Sequence, residues 1–427
     1  MKSEESSTKM GKNFLNEEEI YKKIKEELNK KEFKNKKVIV IIPDNTRSGP
    51  THFFFKTIVD ILIDKTKKLD FLIALGTHPL MKEEDVKNFL DLKGEEKYVN
   101  IYQHQWDKLE NLKTIGTIKK ETVKKISNGL MEEDIEIKIN SLIFNYDEII
   151  IYGPVFPHEV VGFSGGYKYF FPGISGPEFL NKFHWLGALI TNPKINGFKN
   201  TPVRDLINVA SEFIKVPKTL ICSVIKEKKV CDVFTGNNEA WEKAVDLSSQ
   251  LNIKYVDKSY KLVISMAPEM YEDIWTAGKC MYKLEPVVKD GGELIIYAPH
   301  VKEVSYTHGK NIEKVGYHTR DYFLKQWDKF KNFPGCILAH STHVKGIGTY
   351  INGIEKPRIK VILATSIPEN ICKKINLGYV NYKEIKIEEY ENRENEEILV
   401  VKNAGEVLYR RKDGYIPDID KLYGELK

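Results

Sequence analysis

KVIVIIPDNTR, residues 37–47, opens as a run of apolar residues after one lysine and closes in a turn of polar ones. Lys37–Ile42 is too short for an ordinary helix and too uniformly apolar for a strand with one wet face. It reads as a buried parallel strand. An amphipathic stretch follows at Thr51–Lys67. A second apolar run, Leu69–Leu75, ends in Gly76-Thr77-His78-Pro79, and Met81–Leu90 again has helical spacing. DEIIIY, Asp147–Tyr152, is a third strand and runs into Pro154–His158. Strands alternating with helices define an α/β layered fold. In such folds ligands bind beyond the C-terminal ends of the strands. Asp44–Arg47, Gly76–His78 and Pro154–His158 all stand there, which places them at one site.

Working outward, a chain of 427 residues exceeds one ordinary domain. The expected architecture is two α/β domains with an active-site cleft between them. Residues 1–255 form the N-terminal cofactor-binding and catalytic domain, and residues 256–396 a C-terminal domain that adds substrate-binding residues. The tail, 397–427, packs back on the first. Residues 16–35 are expected as a surface helix, and residues 1–13 as disordered. Pro202–Phe213 and Asn238–Leu251 are expected helices. In the second half the expected elements are a strand at Lys261–Met266, a helix at Tyr271–Val288, and strands at Gly292–Tyr297, Gly335–Ala339 and Ile359–Ala364. Asn403-Ala404-Gly405 is expected to turn a hairpin.

Composition excludes several classes. The net charge is +5, from 66 basic and 61 acidic residues mixed along the chain, which is a solvated surface and no nucleic-acid footprint. Five cysteines, none spaced C-x-x-C, argue against a disulfide framework or a structural zinc site. No apolar run approaches a membrane span, and the polar N-terminus lacks a signal peptide. The expectation is a cytoplasmic, soluble protein.

The chemistry concentrates in His158-Glu-Val-Val-Gly-Phe-Ser-Gly-Gly-Tyr-Lys168. Gly162, Gly165 and Gly166 allow a backbone to approach a ligand or cradle a phosphate. Lys168 can pair with a phosphate or, if desolvated, act as a nucleophile. The plain alternative is a tight turn with a surface lysine. Gly162-Phe-Ser164-Gly-Gly166 also fits a nucleophile elbow, with His300 or His308 as nominal partners, but no strand runs directly into Ser164. His78, His158 and His184 lie in or just beyond polar turns and suit a metal site or proton transfer near neutrality. His104 is a reserve candidate. His340 and His343, three apart with no third ligand in view, read as structural. Asp44 and Arg47 read either as a helix cap with a surface arginine, or as a carboxylate and a guanidinium that grips an anion at two oxygens.

These residues together resemble the nickel-dependent lactate racemase family. The resemblance rests on DNTR at 44–47, ALGTHPLM at 74–81, HEVVGFSGGYK at 158–168, Pro172-Gly173 and His184, with Lys279 and EVSYTHG at 303–309 in support. It implies a racemase or epimerase that inverts the α-carbon of a 2-hydroxy acid through a 2-keto acid. The implied cofactor is a nickel pincer nucleotide, a pyridinium mononucleotide holding nickel through carbon and two sulfurs, attached covalently at Lys168. His184 would bind the nickel, and His78 and His158 would be the paired acid and base. Arg47 and Lys279 would hold the substrate, while Asp44, Gly165 and Gly166 would position the cofactor. Cofactor-biosynthesis enzymes are the implied partners.

The chain departs from the family pattern at Ser48, where proline is usual, and at Trp275-Thr276, where the lactate enzymes carry Tyr-Gln. Trp275 and Thr276 are therefore expected to line the substrate pocket and to favour an acid other than lactate: longer, aromatic or polyhydroxylated. The competing readings are a serine hydrolase using Ser164 and a non-catalytic metal- or nucleotide-binding relative.

Overall fold

The structure, a computed structural model, describes residues 14–94 and 97–419. The expectation of disorder over residues 1–13 lies outside these residues. Two sheets dominate. The first contains β1 (Lys37–Ile42), β2 (Lys68–Ile73), β3 (Ile101–Gln103), β4 (Glu148–Pro154), β5 (Lys218–Lys226) and β6 (Lys229–Gly236) in the order β6-β5-β4-β1-β2-β3. All neighbours are parallel except β5 and β6. That last pair is a hairpin whose two connecting residues, Glu227 and Lys228, both have positive φ (52° and 63°), as a type I′ turn requires.

β1 is the centre of the sheet, and every residue after Lys37 is buried, as its apolar run demands. The helix Thr51–Leu62 follows it. The chain builds outward through β2 and β3, then returns to place β4 on the other side of β1. Strand order thus reverses between β1 and β4. The crevice beyond such a switch point is where open α/β sheets take ligands. Asp44 and Arg47 follow β1, His78 follows β2 and His158 follows β4.

The second sheet is parallel throughout: β7 (Tyr260–Met266), β8 (Val288–Ala298), β9 (Lys360–Thr365), β10 (Gly378–Tyr379) and β11 (Ile398–Val401), in the order β10-β9-β8-β7-β11. One continuous cluster of buried apolar side chains runs from Ile39 and Ile41 in the first sheet to Val263 and Leu399 in the second.

Three expectations fail in this half. Gly335–Ala339 is the start of a helix, Gly335–Lys345, and not a strand. Cys336, Ile337, Leu338 and Ala339 are all buried, so this helix is enclosed on successive faces and shows no helical periodicity. Tyr271–Val288 is not one helix. It breaks into Ile274–Ala277 and Lys279–Tyr282 around Gly278, then a 3₁₀ turn at Glu285–Val287 around Pro286. Residues 403–405 turn no hairpin. β11 pairs with β7, whereas Leu408–Arg411 pairs in parallel with Ile253–Val256, so the chain crosses between sheets. In that position Arg410 donates to the carbonyl of Asn196. Among the described residues no helix is long and apolar enough to cross a membrane.

Candidate active site

One cleft, enclosing about 1110 Å³ of non-protein space with its open mouth, gathers the expected residues. Asp44, Arg47, His78, His158, Gly165, Lys168, His184, Trp275, Thr276 and Lys279 all line it. Gly166 sits behind this wall. A Cβ there would meet Trp241 at 2.9 Å, and its φ of 59° favours glycine, so its need is packing and backbone conformation.

The three first-half histidines differ in what holds Nδ1. His78 Nδ1 donates to the carboxylate of Asp44 in a short contact, so that in the neutral ring the free lone pair is on Nε2. Asp44 is buried, and burial alone would raise its pKa; the charges of His78 and Arg47 and the hydrogen bonds from His78 and Thr46 outweigh this and hold it well below the usual range. The carboxylate is also set by Thr46, whose N–H and hydroxyl donate to Oδ1 at 3.2 and 2.7 Å. His158 Nδ1 instead accepts the N–H of Val160 at 3.1 Å, so the neutral ring carries its proton on Nε2. Burial first, then the charges of Lys168 and Arg47, keep His158 well below its ordinary pKa. Glu159 Oε2 lies 3.3 Å from the same Nδ1, a carboxylate for the protonated ring to pair with.

His184 lies on the helix Pro177–Ile190, and its Nδ1 donates to the carbonyl of Leu180 one turn back at 2.7 Å. Nε2 is thereby left as an unprotonated donor atom, and burial lowers the pKa to about 4, so protons do not compete for it. This is how a metal-binding imidazole is prepared. Among the described residues no group of three or more His, Cys, Asp or Glu side chains is placed to hold a metal ion. A nickel on His184 would draw its remaining ligands from a bound cofactor.

Lys168 follows the glycine loop in a short 3₁₀ turn, Gly166–Tyr169. Burial, reinforced by Arg47, lowers its ammonium to about 7, so the free, nucleophilic amine is well populated near neutrality. Lys279 is lowered to about 8 for the same reasons and lies 4.6 Å over the ring of Tyr271. Arg47, Lys168 and Lys279 face only two carboxylates in the cleft, Asp44 and Glu159. Arg47, whose pKa is raised further, is the fixed cation among them and can hold an anionic ligand at two oxygens.

Ser164 does not act as an elbow. Its hydroxyl donates to the carbonyl of Pro154 (3.1 Å) and accepts the N–H of Phe156 (2.9 Å), which closes the loop on itself. His300 is bound to the carbonyl of Tyr271 and His308 packs on Trp275. His104 is buried away from the cleft, with Nε2 donating to the carbonyl of Ser175 and Nδ1 accepting from Asn140.

Sequence reasoning passed over several residues. Arg204 is buried, donates to the carbonyls of Phe163 and Gly165, and lies 4.0 Å over the ring of Trp241. Trp241 in turn donates to the carbonyl of Ser164 at 2.9 Å. Together they fix the glycine loop, yet both sit in ordinary amphipathic helices that carry no such signal. Glu159 was visible beside His158. His340 and His343, expected to be structural, line the cleft.

The fold and this cleft define an α/β protein with a cationic, histidine-lined site at a strand switch point. Residues 3–196 match the lactate racemase N-terminal domain, which places this part of the chain in the lactate racemase family. It is 29% identical over 278 residues to a lactate racemase of Thermoanaerobacterium thermosaccharolyticum, covering 62% of this chain and 60% of that protein. A lactate racemase of Lactiplantibacillus plantarum is 24% identical over 268 residues, covering 61% and 59%. The aligned part thus spans about three-fifths of each relative. Among solved structures, a Thermotoga maritima protein superimposes with a TM-score of 0.87 at 36% identity, covering 94% of this chain and 99% of that one. The lactate racemase apoprotein of Thermoanaerobacterium thermosaccharolyticum gives 0.70 at 22% identity, covering 93% and 94%, a likeness of fold.

Proposed function

We propose that the protein is a racemase or epimerase that inverts the α-carbon of a 2-hydroxy acid other than lactate, through a planar 2-keto acid. The observation that carries this reading is the contrast among three imidazoles around one cleft: His78 with a bare Nε2, His158 with a protonated Nε2, and His184 with a bare Nε2 and a lowered pKa. Lys168 and His184 have the chemistry to hold a nickel pincer nucleotide, one by its neutral amine and the other by its free lone pair. When bound, that cofactor supplies a reversible hydride acceptor, so the α-hydrogen can leave with its electron pair and no dianionic carbanion need form.

The chain's own residues do the rest. Arg47 and Lys279 grip the carboxylate, Arg47 at two oxygens. His78 accepts the hydroxyl proton at Nε2, and Asp44 stabilises the imidazolium that results. Once a second proton, held at Nδ1 against Glu159, makes His158 an imidazolium, it donates from Nε2 to the oxygen on the other side and returns to the neutral ring, while His78 gives its proton back to water; for the opposite enantiomer the two rings start in the reverse protonation states and the roles exchange. In this reading residues 1–255 and 256–396 act as two domains meeting at the cleft, and enzymes that make the cofactor are needed for activation. The serine hydrolase reading is disfavoured by the closed hydrogen bonds of Ser164. The non-catalytic reading is disfavoured by the intact set of histidines and Lys168.

The test is to supply a 2-hydroxy acid deuterated at C2 to the nickel-loaded enzyme in ordinary water. Inverted product that keeps its deuterium supports the proposal. Product that has exchanged it for solvent hydrogen means the α-hydrogen leaves as a proton, and the proposal fails.

A further inference from the structure

The helix Gly335–Lys345 brings a second pair of imidazoles to the cleft. Cys336, His340 and His343 stand at i, i+4 and i+7 on one face, and all three line it. The helix is held close to the one that carries His184: the N–H of Cys336 donates to Asn181 Oδ1 at 3.1 Å, and a Cβ at Gly335 would meet the Asn181 carbonyl at 2.5 Å. His340 Nε2 donates to the carbonyl of Trp275 at 3.1 Å, so its Nδ1 is a bare acceptor. Among the described residues no protein group bonds that Nδ1, and none bonds His343 Nε2, although both atoms are buried. A buried polar atom without a hydrogen bond is destabilising, so two purely structural histidines would leave both atoms unsatisfied at a cost to the fold. Burial lowers His340 to about 3 and His343 to about 4, so both rings are neutral.

The neighbouring side chains narrow the ligand. Trp275 is already stacked on His340 (4.2 Å, 17°) and packed against His308 (4.3 Å), so an aryl group would have to displace one of them. The Thr276 hydroxyl lies 2.8 Å from Asp273 Oδ1 and 3.1 Å from the Asp273 carbonyl, and its donor is used within the turn that Asp273 caps. A second carboxylate would meet the bare lone pair of His340 Nδ1, whereas a hydroxyl can donate to it.

We infer that His340 and His343 bind hydroxyl groups carried beyond C2, and that the substrate is a polyhydroxylated 2-hydroxy acid of the aldonic class. The reaction is then an epimerisation at one of several stereocentres. This rests on the proposed function, and it moves the choice of substrate from Trp275 and Thr276 to the helix behind them.

The experiment compares aldonic acids of four to six carbons with straight-chain 2-hydroxy acids of equal length, using nickel-loaded enzyme and following C2 inversion by chiral chromatography. A site built to bond hydroxyls should favour the aldonic acid by about 100-fold or more in kcat/KM. His340→Phe, which keeps a ring against Trp275, and His343→Leu should each lower kcat/KM for the aldonic acid about 10-fold or more, with the straight-chain acids little changed. Straight-chain acids turned over as well as their hydroxylated partners would overturn the assignment and leave the proposed function standing. Equal losses on both substrate classes in either variant, with unchanged thermal unfolding, would overturn it too. Inversion of neither class by enzyme shown to carry nickel and the mass increment would overturn both.

Discussion

Asp44→Asn isolates what the carboxylate does for His78. The amide oxygen can keep the two bonds from Thr46, so the turn after β1 is expected to survive. The amide nitrogen would replace Oδ2 against His78 Nδ1, where it donates instead of accepting. His78 then has to carry its proton on Nε2, and the base is lost in the neutral ring. The imidazolium formed during turnover also loses its counter-charge. Opposite charges about 4 Å apart attract by about 4 kcal/mol at an effective dielectric constant of about 20. The His78 side chain keeps 25% exposure, so water screens part of this. A loss of about 3–4 kcal/mol corresponds to a fall in kcat of about 100- to 1,000-fold. The assay is polarimetry on the best acid of a single-enantiomer panel, with nickel content and intact mass measured on the same sample. Both directions should slow together, because the equilibrium constant fixes the ratio of their kcat/KM values. A kcat within about fivefold of the unmodified enzyme, with cofactor loading intact, would refute the role given to Asp44.

His184→Ala should leave the covalent mass increment on Lys168 and lower nickel content sharply; nickel retained at one per chain would show that another group holds it. Ser164→Ala should leave turnover within about tenfold while lowering thermal stability, since it removes a buried hydroxyl bonded at both ends. A loss of activity beyond about a thousandfold in a folded protein would revive the hydrolase reading. Lys283 is buried and donates to the carbonyl of Pro157, and burial lowers its pKa to about 7. The unfolded chain, with lysine near the usual value of about 10.4, binds more protons between those two values, so stability rises with pH there. Lys283→Met should remove up to about 1.4 kcal/mol per pH unit of that slope in denaturant titrations, and an unchanged slope would show that the lysine is not desolvated.

The strand ends were legible because an apolar run bounded by a polar turn has one good reading once several such runs alternate with helices. Asp44, Arg47, His78 and His158 could be placed together on that ground alone, before any family was considered. Gly335–Ala339 shows the limit. A five-residue apolar run is the same string whether it is a buried strand or one end of an enclosed helix, and only its packing against the helix of His184 separates the two. That misreading hid His340 and His343, whose spacing points both to one side only if the segment is helical. The proton positions were not legible either. They depend on Asp44, Val160 and Leu180, three different kinds of partner, the first 34 residues away from its histidine in the chain.

The parallel pairing of Ile253–Val256 with Leu408–Arg411 bears on how the protein is made. The Asn196 carbonyl is met by Arg410, and the side chain of Leu408 packs where a Cβ on Gly197 would stand, at 2.5 Å. That flank is completed by residues translated long after Asn196 and Gly197. At about 5–20 residues per second, the roughly 150 residues between the two strands take on the order of 10–30 s to synthesise. Through that interval His78, His158 and Lys168 have left the ribosome, while Lys279 and His340 are still being added. The nascent chain therefore exposes one wall of the cleft before it owns the other, and a chaperone or a cofactor-loading enzyme would meet the site in that order.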